Sequence, residues 1–210
     1  MKSGSNNQIK LAEPVINSQE VANLTKKILK ENFPNEGKLV RSFEKKISTL
    51  LRVKYALTST SGTTAIFLGL KALNLKPNDE VLVPNITFQA TANAVSLAGF
   101  KPVLVDVNHT NNLICLKSLK KKITNKTKVI IPVHVSGRGN NIKEICKIAK
   151  KNKIDVIEDS AEAFMSKYES KFLGTYGKIG CYSFAPNKII TMGQGGLIVT
   201  NDKKIYKKLL

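Results

Sequence analysis

Arginine is scarce in this chain. Of its 34 basic residues only Arg41, Arg52 and Arg138 are arginines, so the formal charge of +19 rests almost wholly on lysine. Proteins that read bases and phosphates rely on the planar arginine fork, and the lysines here are scattered through every predicted helix without an aromatic-interleaved basic stripe. The composition argues against a nucleic-acid partner. It suits instead an anionic small substrate, which a basic field draws in by steering. Cysteine is scarce too: Cys115, Cys146 and Cys181 are odd in number and lack CxxC or zinc-ligand spacing. Neither a disulfide framework nor a metal site is expected, which fits a reducing cytoplasm. No run of about 18 apolar residues occurs, and the Met1–Gln8 stretch has no apolar leader core, so no membrane partner and no export are expected. Histidine is limited to His109 and His134. His109 reads as loop, and His134 as a packed, hydrogen-bonded core residue without an assigned role.

What is present is a regular alternation. With 42% hydrophobic residues in 210, the chain can fill one substantial core. Asn17 with Glu20 resembles a capping box that opens a helix to about Lys30, and Phe33-Pro34-Asn35-Glu36-Gly37 breaks it. Val40, Phe43, Ile47 and Leu50 recur at helical spacing from Lys38 onward, and Tyr55–Ser59 reads as a strand. A helix over Ala65–Leu73, a strand over Glu80–Pro84, a small-residue helix starting at Thr87 and a strand over Pro102–Val105 follow. Then come a basic helix over Lys117–Lys122, a strand over Val129–Val135, a helix from Asn141 to about Asn152 and a strand over Ile154–Asp159. Short apolar strands alternating with helices of about ten residues predict an α/β fold, a three-layer α/β/α arrangement around a mostly parallel sheet.

Four places on this frame carry chemistry. Ser59-Thr60-Ser61-Gly62-Thr63-Thr64 runs straight into a helix, which offers free backbone N–H groups to a phosphate, or simply an N-cap. Phe88 sits at a strand-to-helix corner, either as core or with its face toward a planar ligand. Asp159 ends a buried-type strand, and the carboxyl ends of parallel strands are where ligands bind; helix capping is the alternative. The stretch Cys181–Thr200 carries Ser183, then Lys188 on a Pro-containing turn, then Gly193, Gly195 and Gly196 before another apolar strand. A lysine held on such a turn and desolvated acts as a nucleophile toward aldehydes. A helix N-terminus, a stacking ring, a carboxylate, a hydroxyl and an amine together suit pyridoxal 5′-phosphate.

The chain resembles, almost from end to end, the DegT/StrS family of nucleotide-sugar aminotransferases, which are fold-type-I pyridoxal-phosphate enzymes. The resemblance is carried in order by Gly37–Glu44, Thr60–Ala65, Asp79–Pro84, Thr87–Ala94, Pro132-Val133-His134 and Glu158–Ala163. It implies an aspartate-aminotransferase-like large domain over 36–210 after an N-terminal helical segment over 1–35. It also implies that Lys188 carries the cofactor, that Asp159 pairs with the pyridine nitrogen and that Phe88 covers the ring. Ser61, Gly62, Thr63 and Ser183 would hold the phosphate, and Glu162 would approach the ring oxygen. The implied reaction moves an amino group from L-glutamate to a keto nucleoside-diphosphate sugar, in a homodimer. The lysine itself favours transamination, because related dehydratases carry histidine there, and the short spacing to Gly195-Gly196 favours the C4 position. Two departures stand out: Gln194 where the pattern often has an acid, and a chain that stops where relatives continue into a small domain. Rival readings are another fold-type-I enzyme, such as a cyclitol aminotransferase or a desulfurase, a non-catalytic relative, and a basic nucleic-acid module.

Overall fold

Residues 13–30, 37–139 and 141–210 are described in the computed structural model of the chain. Helix α1 (Ser18–Lys30) starts where the sequence predicts, with Asn17 Oδ1 accepting the N–H groups of Gln19 and Glu20 at 3.1 and 3.2 Å. The Phe33–Gly37 breaker and the 1–35 segment fall partly outside the described residues. Helix α2 (Lys38–Leu51) turns Ile47 and Leu51 inward, and β1 (Tyr55–Ser59) follows. Then come α3 (Gly62–Ala72), β2 (Glu80–Pro84), α4 (Ala90–Leu97), β3 (Lys101–Val105), α5 (Leu116–Lys122), β4 (Thr127–Ile130), α6 (Ile142–Lys151) and β5 (Asp155–Asp159). After a small hairpin, β6 (Lys167–Tyr168) with β7 (Lys171–Phe172), the chain closes with β8 (Ile179–Ser183), β9 (Gly196–Thr200) and α7 (Lys203–Leu209).

The seven-stranded sheet has the order β1-β9-β8-β5-β4-β2-β3. β9 runs antiparallel to both of its neighbours, while the pairs from β8 through β3 are parallel. Parallel strands need a crossover helix, whereas an antiparallel pair can be joined by a loop alone. The β8–β9 connection is therefore free to lie at the carboxyl end of β8, beside the ends of the parallel strands, and it carries Lys188.

Strand alternation builds the two faces. Val81, Val83, Ile157, Ile179 and Ile198 pack under α3, α4 and α7. Leu82, Ile130 and Val156 pack against α5 and α6 on the other face, where Tyr182, Leu197 and Val199 meet α2. This is the expected three-layer α/β/α fold. Three elements differ from the sequence reading by more than one residue. The predicted Val129–Val135 strand pairs regularly only to Ile130, because Pro132 has no N–H for a ladder; a 3₁₀ turn over Val135–Gly137 follows. The small-residue helix begins at Ala90, three residues after Thr87, and α3 begins at Gly62, directly behind its cap. The β6–β7 hairpin and α7 have no counterpart in the sequence reading.

Candidate active site

The start of α3 is built from small residues. Ser61 is extended and caps the helix, its Oγ accepting the Thr64 N–H at 3.1 Å, and its carbonyl takes the Ala65 N–H at 2.9 Å. Among the described residues nothing accepts from the N–H groups of Gly62 and Thr63, so two donors and the positive helix end stay open to an anion. A Cβ on Gly62 would stand 2.8 Å from Ser183 Cβ, and one on Gly196 would stand 2.2 Å from the Ser61 carbonyl oxygen. Glycine at both positions lets the helix start close onto the ends of β8 and β9. Ser183 is buried there, and its Oγ accepts only a long 3.4 Å contact from the Ala185 N–H.

Asp159 and Glu158 are chain neighbours that alternation sends to opposite faces. Glu158 is wholly buried and structural: it accepts the N–H groups of Gly174, Tyr176 and Gly177 at 2.8, 2.6 and 2.6 Å and lies 2.8 Å from His134 Nε2. His134 is thus the packed, hydrogen-bonded residue that the sequence implies. Asp159, 5% exposed, accepts the Thr91 hydroxyl at Oδ2 (2.7 Å) and the Ala161 N–H at Oδ1 (3.1 Å). Burial pushes its carboxyl above the ordinary value, opposed by these two donors and by the fields of His134 and Lys188.

Lys188 lies on a turn closed by its own N–H to Ala185 O at 3.0 Å, inside a loop pinned by the Met192 N–H to Phe184 O and the Phe184 N–H to Gly195 O. Its side chain is only 13% exposed, and Nζ reaches Glu162 Oε1 at 3.3 Å. The other oxygen of Glu162 accepts the N–H of Ser136 at 2.9 Å, a residue in the left-handed region at φ 52°. A cavity of ≈ 380 Å³ opens on this loop, walled by Glu13–Val15 and the 186–191 stretch with Lys188. A larger one, ≈ 420 Å³, lies between α2 and β1 and holds none of these groups.

The structure therefore brings Ser61, Gly62, Thr63 and Ser183 together at one corner. It brings Asp159, Glu162 and Lys188 together at the next, all at the carboxyl ends of β5 and β8. Phe88 is placed differently, 76% exposed at the entrance to α4, with no ring contact to the others. Sequence reasoning passed over Thr91, whose hydroxyl in the first turn of an alanine-rich helix was the one available signal. Among the described residues no cluster of metal-ligating side chains occurs, and no helix is long and apolar enough to cross a membrane.

A seven-stranded α/β domain with a part-buried lysine, a buried carboxylate and an open helix N-terminus at the strand ends defines the class. The particular family follows from comparison. A model of the DegT/DnrJ/EryC1/StrS aminotransferase family matches residues 15–210, and the chain belongs to that family. It is 42% identical over 176 residues to a GDP-perosamine synthase of Escherichia coli O157:H7, covering 84% of this chain and 48% of that one. It is 39% identical over 176 residues to a UDP-N-acetyl-3-dehydro-alpha-D-glucosamine 3-aminotransferase of Acidithiobacillus ferrooxidans, covering 83% and 47%. Among solved structures it superposes with a TM-score of 0.90 and 30% identity on an E. coli GDP-4-keto-6-deoxy-D-mannose-3-dehydratase with bound hydrated PLP, covering 96% of this chain and 53% of that one. The chain spans about half the length of the curated relatives it matches.

Proposed function

We propose that this chain is the cofactor-binding part, over 36–210, of a pyridoxal-phosphate-dependent aminotransferase acting on a keto nucleoside-diphosphate sugar, with 1–35 as a separate N-terminal helical segment. The observation that carries the reading is the convergence of Lys188, Asp159 and the open start of α3 at one end of the sheet. The residues fit the cofactor. Gly62 and Thr63 have N–H groups to spare for a phosphate, Ser61 and Ser183 stand beside them, and Asp159 is a buried carboxylate without an ion-pair partner among the described residues. When bound, pyridoxal 5′-phosphate supplies an aldehyde and an electron-withdrawing ring.

The chain's own residues would do the following. Lys188 Nζ would be the group that holds the cofactor at its aldehyde and, once free, the acid and base that moves the proton at the carbon gaining or losing nitrogen. Asp159 would hold the proton on the ring nitrogen, Glu162 would orient Nζ beside the ring oxygen, and Phe88 would cover the ring face. L-Glutamate is the proposed donor. A GDP-linked 4-keto-6-deoxy sugar is the proposed acceptor, supported by the 42% likeness to a GDP-perosamine synthase and by the short loop between Lys188 and Gly195-Gly196. The other relative is named for position 3, so the assay must read which carbon is aminated. The exposed apolar side chains of Ile86, Phe88, Ile189 and Ile190 around the site support a homodimer. Biosynthesis of amino sugars for a surface polysaccharide or lipopolysaccharide, in the cytoplasm, completes the proposal.

The test is to mix the protein with pyridoxal 5′-phosphate, reduce with borohydride, digest, and locate pyridoxyl adducts by mass spectrometry. A single adduct on Lys188, absent in Lys188→Ala, is expected. Labelling spread over many lysines would overturn the site. Incubation with L-glutamate and the GDP-linked 4-keto sugar should then yield an amino sugar and 2-oxoglutarate. A protein that takes the adduct yet exchanges no amino group would be a non-catalytic relative.

A further inference from the structure

Asp159 is held by a chain of two hydroxyls at the start of α4. Thr91, 0% exposed in the first turn of α4, donates to Asp159 Oδ2 at 2.7 Å across 68 residues of sequence, and its Oγ lies 2.8 Å from Thr87 Oγ. A threonine hydroxyl has one proton and two acceptor positions. Because Thr91 commits its proton to the carboxylate, Thr87 must donate to Thr91, and the chain runs one way from the half-buried Thr87 to the anion. We propose that Thr91, supplied by Thr87, is the positioning residue of Asp159: it holds the carboxylate anionic and turned so that its remaining acceptor positions face a ligand's cationic ring N–H. The ligand side of this inference rests on the cofactor reading above, whereas the Thr87–Thr91–Asp159 chain belongs to the protein alone.

Burial acts against the anion, and the Thr91 hydroxyl is the largest opposing cause, ahead of the Ala161 N–H, His134 and Lys188. The other titratable neighbours do not replace it. Cys181, opposite Asp159 in the β5–β8 ladder, has its own thiol pushed well up by burial and so stays neutral. Glu158 points to the other face. His134 gives Asp159 no side-chain hydrogen bond: its Nε2 lies against Glu158, and its backbone N–H goes to the Asp159 carbonyl. Lys188, whose field also lowers the Asp159 value, makes its ion pair with Glu162. Valine at position 91 keeps the volume but leaves the buried Asp159 Oδ2 and the half-buried Thr87 hydroxyl without their partner.

The experiment follows the Asp159 carboxyl by ¹³C NMR in aspartate-labelled protein without cofactor, assigned by its absence in Asp159→Asn, as pH is varied. In Thr91→Val the Asp159 midpoint should rise by about one pH unit, the tenfold effect of one lost hydrogen bond to a buried charge, and Thr91→Ser should restore it. Thr87→Val should shift it the same way by less, which keeps the idea refutable if Thr91→Val does not fold. A midpoint unmoved in folded Thr91→Val, or in both valine variants, overturns the proposal. In parallel, the dissociation constant of pyridoxal 5′-phosphate should weaken about tenfold in Thr91→Val and recover in Thr91→Ser. If the unaltered protein binds no pyridoxal phosphate while the midpoint still responds, the cofactor reading fails and the positioning role stands. If it binds and the midpoint does not respond, the reverse holds.

Discussion

Replacing Gly62 by alanine pushes the start of α3 away from the end of β8, the corner where the phosphate is proposed to bind. The added Cβ would lie 2.8 Å from Ser183 Cβ and 3.4 Å from its Oγ. Ordinary contact begins near 3.4 Å, so helix α3 and the end of β8 must part by about 0.6 Å, and both partners are close to backbone in a dense interior. Strain of this kind costs about 1–3 kcal/mol, and alanine's better helix propensity returns up to about 1 kcal/mol, so the net loss of stability is about 0–3 kcal/mol. Binding should suffer more. A phosphate bridging the Gly62 and Thr63 N–H groups and the Ser183 hydroxyl cannot keep all its contacts near 2.9 Å when one side moves by that much. Losing one charge-assisted hydrogen bond at about 1.5–3 kcal/mol weakens pyridoxal 5′-phosphate binding by about 10–150-fold. Urea denaturation gives the first number, and titration of the cofactor's absorbance gives the second. Affinity within about twofold of the parent, in a variant that folds, would refute the placement of the phosphate at this helix start.

Ile157→Ala removes a wholly buried side chain from the cluster beneath α3 and should cost about 2–5 kcal/mol by urea denaturation without moving the β5 ladder. For Asp159, burial raises the folded-state value above that of the unfolded chain, so the folded protein holds this proton more tightly. Stability from this group is therefore present below the ordinary carboxylate range and is lost as pH rises through the folded midpoint. Asp159→Asn should flatten the melting temperature against pH above about pH 4, melt higher than the parent at neutral pH, and bind pyridoxal phosphate less well. A parent whose melting temperature rises with pH relative to the variant would contradict the sign. Burial pushes the Cys146 thiol up to about 11. At about pH 8 iodoacetamide should therefore spare it in the folded protein and modify it in urea, read by peptide mass.

The alternation of short apolar runs with amphipathic helices was legible because it is local. Leu82 between Val81 and Val83 needs only the two-residue period of a strand to be sent to the opposite face, and β2 spans Glu80–Pro84 in both sequence and structure. The hydroxyl and glycine before α3, the lysine on a proline turn and the acid at a strand end were legible for the same reason. Pairing partners are not local. That β9 inserts antiparallel between β1 and β8 depends on which edges meet during collapse, and β9's apolar run reads the same in either direction. The two-residue strands β6 and β7 are too short to show a period at all. The adjacent acids Glu158 and Asp159 look equivalent as letters. Folding gives one to the structural hub around Gly174 and the other to the Thr91 hydroxyl, because alternation separates them and only packing decides which face is which. The sequence by itself thus determined the elements and the chemical inventory. The tertiary structure alone decided that a hydroxyl on α4 should hold an aspartate on β5, since a hydrogen bond between segments 68 residues apart exists only after the sheet has placed both ends together.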